Sequence, residues 1–287
     1  MNQTYSLILS LTKPSLHRNF IKDPHFKTFD KQLFSYHGQC DMVLTSSKSY
    51  NNGSGLDVHV RTTRVDNDHI NLSYSYISGA AVKIGSNIFE VNEDGDLIIN
   101  GETSTPNAVM VFEGLQSITK QTKGTKKRIS VYTFDLGDDK NIKIRVNDKN
   151  GMLFVDVNGA FGDSEGLLGS APEHAKPLLA RDGETDLSGH WNTYGEEWQV
   201  NGSDPKLFQD MTRHPQFPNG CVYEADRKNT NIRGSRHRRR LIEANQVSFE
   251  EATEACAHLN AQMKSFCVDD VMATGDLDLV EDPFYGN

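Results

Sequence analysis

Asp23-Pro24-His25-Phe26-Lys27-Thr28-Phe29-Asp30 and, three residues later, Phe34-Ser35-Tyr36-His37-Gly38-Gln39-Cys40-Asp41-Met42-Val43-Leu44 stand at the head of a long run of strand-like sequence. From about Leu33 to Asn158 one short strand signal follows another. Leu56, Val58 and Val60 alternate with polar neighbours, and so do Ile70, Leu72, Tyr74 and Tyr76. Successive side chains of a strand point to opposite faces, so this period-two alternation predicts half-buried strands. Ile88–Val91, Leu97–Ile99, Ile129–Phe134, Ile142–Val146 and Met152–Val157 continue the pattern. Glu93-Asp94-Gly95-Asp96 and Lys149-Asn150-Gly151 are turn chemistry, because Asn and Gly accept positive φ at low cost. Many short strands with closely spaced turns predict a mainly β protein built as an antiparallel β-sandwich. Lys120 to Arg128 is basic and reads as a solvated hairpin tip.

The 287 residues are long for one domain and comfortable for one with an appendix. A net charge of -9 provides no basic field for nucleic acid. No apolar run reaches spanning length, so no membrane insertion is expected. Leu7 to Leu11 is too short for the apolar core of a signal peptide, so residues 1–19 read as an N-terminal segment truncated at, or internal to, a longer chain. After Val200 the composition changes. Residues 201–245 read as a linker that carries a basic run from Arg233 to Arg240. Residues 246–287 read as a helical extension: Ser248-Phe249-Glu250-Glu251 is a capping box, and Ala252, Cys256, Leu259 and Met263 follow at helical spacing.

The opening stretch resembles the start of a von Willebrand factor type D domain. In that family a Gly-Asp-Pro-His-aromatic start leads to Thr-Phe-Asp and then to an aromatic-x-Gly-x-Cys strand. Asp23, Pro24, His25, Phe26, Thr28, Phe29, Asp30, Tyr36, Gly38 and Cys40 stand in that register. Glu196-Glu197-Trp198-Gln199-Val200 resembles the family's closing strand, so the resemblance covers about residues 20–200. Val268 to Asp276 resembles the tail after such domains in mosaic adhesion and mucin-like proteins.

The resemblance carries several expectations. One family disulfide joins a Cys before Asp-Pro-His to the Cys of Gly-Leu-Cys-Gly. Here Arg18 and the Leu168 of Gly166-Leu167-Leu168-Gly169 occupy those places, which predicts apolar packing at Leu168 in place of a bridge. A second family disulfide implies a pair between Cys40 and Cys221. Cys256 and Cys267 remain as a second pair. One unbroken helix would hold them about 16 Å apart, and disulfides need Cα atoms within roughly 7 Å. Pairing therefore requires the chain to fold back between them.

The family's calcium site uses the Asp of Thr-Phe-Asp, which is Asp30. Ser170 to Glu173 departs from the Asn-rich ligand run, leaving Asp182 and Asp186 as the downstream carboxylates. Lys22 in place of Gly speaks against the autocleavage known at Asp-Pro in some mucin domains. Asn52, Asn71 and Asn201 head glycosylation sequons. Arg236, Arg238 and Arg239 fit a proprotein-convertase pattern.

The expected function is an extracellular, secreted, non-enzymatic structural or adhesive module, with calcium as candidate cofactor. Its expected partners are other extracellular proteins or further domains of a longer chain. The alternatives are a secreted precursor processed at the basic run, or a metal-dependent secreted enzyme using the acidic loop. A lipid-carrying protein fits only if this chain is a fragment of one.

Overall fold

The structure, a computed structural model, describes residues 24–36, 38–67, 72–104, 110–123, 129–148, 151–159, 161–170, 177–209, 247–281 and 285. An arm comes first: β1 (His25–Lys27) pairs antiparallel with β2 (Leu33–Ser35). Six strands then form one antiparallel meander in sequence order: β3 (Asp41–Ser47), β4 (Leu56–Asn67), β5 (Leu72–Ile84), β6 (Asn87–Asn92), β7 (Leu97–Ile99) and β8 (Glu102–Ser104). Five more follow as a second sheet: β9 (Met110–Phe112), β10 (Leu115–Lys123), β11 (Ile129–Gly137), β12 (Lys140–Asn147) and β13 (Leu153–Asn158).

The two sheets enclose one core. Leu56, Val58 and Val60 on β4 sit opposite Ile84, Val82 and Ala80 on β5, and all six are buried. Ile142, Ile144 and Val146 are buried from the other sheet, and the Phe89 and Phe134 rings meet across the gap at 5.7 Å. In these strands the alternation in the sequence is thus the inward set, and the mainly β, antiparallel fold is as predicted.

The outward set of the six-stranded sheet is also covered. Residues 201–209 form no helix or strand, as expected of a linker, yet they lie pinned across that face. Phe208 stacks on the Arg61 guanidinium at 4.2 Å, Leu207 packs with Ala81, and the Gln209 amide donates to Glu90 Oε2 at 2.6 Å. Beneath them Arg61 grips Asp41 with two hydrogen bonds of 2.6 and 2.8 Å, and both side chains are buried.

The closing segment differs from the expected strand. Trp191–Glu197 is a helix, α1, and only Gln199 bridges to β3, through Met42. Gly195 of this helix packs on the Tyr36 ring, as does Gly38, and a Cβ on either would overlap that ring. Tyr36 is fully buried in the slot, and its hydroxyl accepts from Gln199 Nε2 at 2.6 Å. Trp198 is buried in the main core.

The C-terminal extension is two helices rather than one. Ser248 caps α2 (Phe249–Ala255), with the predicted reciprocal bonds to Glu251. The chain reverses over residues 256–260, and Asn260 caps α3 (Ala261–Thr274) by accepting from the Met263 amide. Gly275 ends α3 in the left-handed conformation, φ 64°.

Candidate functional site around the Asp-Pro-His arm

The arm begins with a tight turn. Thr28 donates its hydroxyl to Asp30, Gln32 Nε2 donates to the other carboxylate oxygen at 2.6 Å, and the Lys31 amide donates to the Thr28 carbonyl at 2.9 Å. Partial burial raises the Asp30 pKa, but the hydrogen bonds from Thr28 and Gln32 prevail and hold it below the usual carboxylate value. Asp30 is therefore ionised and oriented, with both oxygens engaged.

His25 ties the arm to the helical extension. Its Nδ1 lies 2.8 Å from Ser35 Oγ, its ring stacks on Phe266 at 3.9 Å, and its Nε2 is 3.7 Å from Asp270. Tyr285 donates its hydroxyl to the same carboxylate. Gln262 Nε2 reaches the Leu33 carbonyl at 3.2 Å. Leu33 and Phe154 pack against the small core of α2 and α3, so the arm and the second sheet are the partners that the apolar stripe requires. No local signal marks the contacts between the arm and α3, because they join residues more than two hundred positions apart.

The Gly166–Gly169 turn docks on the arm's other side. The Leu167 and Leu168 amides donate to the Val43 and Leu44 carbonyls at 3.1 and 3.0 Å. Gly166 has φ 128°, and a Cβ there would run into the Leu44 carbonyl, so only glycine fits. The buried Tyr194 hydroxyl donates to the Gly166 carbonyl at 2.7 Å, and burial raises its pKa. Leu168 is buried, as predicted, at the place of the missing bridge, while Arg18 lies outside the described residues.

The acidic loop keeps to itself. Asp182 accepts from the Glu184 and Thr185 amides at 2.9 and 2.8 Å, and Asp186 from the Ser188 amide at 2.8 Å. These bonds lower both carboxyl pKa values. Among the described residues no three acidic, histidine or cysteine groups converge in a metal-sized cluster, so Asp30, Asp182 and Asp186 do not form one carboxylate cage. A calcium ion at Asp30 would take its remaining oxygens from carbonyls or other ligands.

The cysteines divide in two. Cys256 and Cys267 form a disulfide with Cα atoms 6.0 Å apart, made possible by the chain reversal between α2 and α3. Cys40 is buried and disulfide-bonded, whereas Cys221 lies outside the described residues. Asn52 is exposed on the turn between β3 and β4 with φ 58°, and Asn201 accepts from the Ser203 amide and hydroxyl. Asn71, Arg236, Arg238 and Arg239 lie outside the described residues.

Sequence reading did not single out His59 or the Asp41–Arg61 pair. His59 is buried on the outer face of β4, and neither ring nitrogen has a hydrogen-bond partner. Burial lowers its pKa to about 4, against the opposing fields of Asp57 and Asp204. A polar face on β4 predicts solvent, and nothing in it announces the covering strap.

Among the described residues no helix is long and apolar enough to cross a membrane. A comparison with curated proteins returns no match. The family model for the von Willebrand factor type D domain matches residues 19–174, a little over half of the chain, and takes in the arm, both sheets and the Gly166–Gly169 turn. With its register from Asp23 to Cys40 and that match, this chain belongs to the von Willebrand factor type D domain family.

Proposed function

We propose that this protein is an extracellular, non-enzymatic structural or adhesive module acting through contacts with other extracellular proteins or with further domains of a longer chain. The observation that carries this reading is the family match over residues 19–174, since such domains occur in extracellular proteins and are typically non-enzymatic. The Cys256–Cys267 disulfide supports it, because such bonds persist in oxidising compartments. Three of the described titratable groups with perturbed environments have structural work: Asp41 holds Arg61, Tyr194 holds Gly166, and Tyr132 donates to the Gly95 carbonyl at 2.6 Å.

Three finer points belong to the same reading. Cys221 is the partner of Cys40. Asn52, exposed at a turn, carries a glycan. Calcium binds at Asp30 and steadies the arm.

The test is to secrete the full chain from cultured cells behind a supplied leader, then map its disulfides and glycans. Surfaces coated with native or reduced protein are then compared for binding of extracellular matrix components. Both disulfides, a glycan on Asn52 and binding that is lost on reduction are expected. Free thiols in the secreted protein would overturn the reading. So would a hydrolase activity that disappears in Asp30→Ala, which would establish the metal-dependent enzyme instead.

A further inference from the structure

A cavity of about 270 Å³ lies between the arm, the β13 edge and β5, with openings to solvent. Its walls are mostly apolar: Phe26, Phe29, Leu44, Ile77, Val155 and Leu168 line it. Val155 and Val157 of β13 sit opposite the fully buried Ile144 and Ile142, so they are on the core side of their strand, yet they stay half-exposed. Apolar surface on the core side of β13 is therefore left partly uncovered here, and a hydrophobic ligand would bury it.

The charged groups around the cavity are unequal. Asp156 is engaged by Arg145 at 2.7 Å, and Asp270 accepts from Tyr285 and lies beside His25. Lys27 and Lys31 also line the cavity, and among the described residues neither has an ion-pair partner. The acids of the wall are thus engaged within the protein, whereas the two lysines beside it are not. An apolar slot with a few polar groups at one side is the usual form of a small-molecule site.

We infer that this cavity binds a straight-chain aliphatic carboxylate, its tail between β13 and the Leu168 turn and its head group on Lys27 and Lys31. The cavity is small enough to exclude a long or branched lipid and large enough for an unbranched aliphatic chain. That places the ligand among medium-chain acids. The inference goes beyond the structural role proposed above and stands apart from it, since it rests on the cavity alone.

Decanoate, kept below its micelle concentration, is titrated into the full chain by calorimetry, with decyl maltoside as the neutral control. One decanoate per chain is expected to bind, more weakly as salt is raised, and the neutral detergent is expected to bind far less. Lys27→Gln with Lys31→Gln should weaken decanoate binding by about ten-fold. Val157→Trp, on the cavity wall, should block it. Should the tryptophan variant fail to fold, the double glutamine variant carries the test. No decanoate binding, equal binding of the neutral detergent, or unchanged affinity in the double glutamine variant would each overturn the assignment.

Discussion

The Phe29 amide donates to the Leu168 carbonyl at 2.9 Å, and this bond joins the arm to the Gly166–Gly169 turn where the family places a disulfide. The Leu168 side chain is 8% exposed and packs into the main core. A backbone hydrogen bond and a buried leucine hold the turn where the resemblance implies a disulfide. Leu168→Ala should therefore destabilise the protein by about 2–4 kcal/mol, read from chemical denaturation. A near-neutral change would show that the turn is held by its backbone bonds alone.

Reduction of the second disulfide tests the helical extension. The Cys256–Cys267 bridge closes a short loop, and Cys256→Ser with Cys267→Ser should cost about 2–3 kcal/mol. The loss should be local. Hydrogen exchange should rise in α2 and α3 and around His25, which stacks on Phe266, while the two sheets stay protected.

The Asp41–Arg61 pair is buried under Phe208. Arg61→Met leaves a carboxylate with no guanidinium beside it and should cost about 3–5 kcal/mol. The double change Asp41→Leu with Arg61→Met should recover much of that loss, because two matched apolar groups leave no stranded charge. Denaturation of the three proteins side by side gives the comparison.

His59 predicts a pH dependence. Its folded-state pKa is lowered to about 4 by burial, from an ordinary value of 6.5, so below pH 6.5 the unfolded chain takes up a proton that the folded chain refuses. Stability is fully present above pH 6.5 and falls as the pH drops towards about 4, by on the order of 3 kcal/mol. Asp57, Asp204, Arg181 and Lys83 face the ring, and they remain in His59→Leu. That variant should show a flatter stability curve between pH 6.5 and 4 than the parent. Parallel curves would assign the acid sensitivity to other groups.

Calcium provides a fifth test. If Asp30 anchors the ion, added calcium should raise the melting temperature by mass action, chelator should reverse the rise, and Asp30→Asn should abolish it. Identical melts throughout would leave Asp30 as the acceptor for Thr28 and Gln32 in the turn.

The sequence by itself determined the β class, most strand positions and the cap at Ser248. Each rests on a local rule: side-chain alternation or capping chemistry. It also marked Leu168, because a motif with one altered position points at itself. Only the tertiary structure decided that residues 201–209 cover Arg61, that Glu196–Val200 begins within a helix instead of forming a strand, and that His25 meets Phe266. It alone opened the cavity beside Lys27 and Lys31. These contacts join segments far apart in the chain, and burial of a polar strand face depends on what is laid over it. A local pattern records which side chains share a face, whereas the covering of that face is settled by the closure of the whole chain.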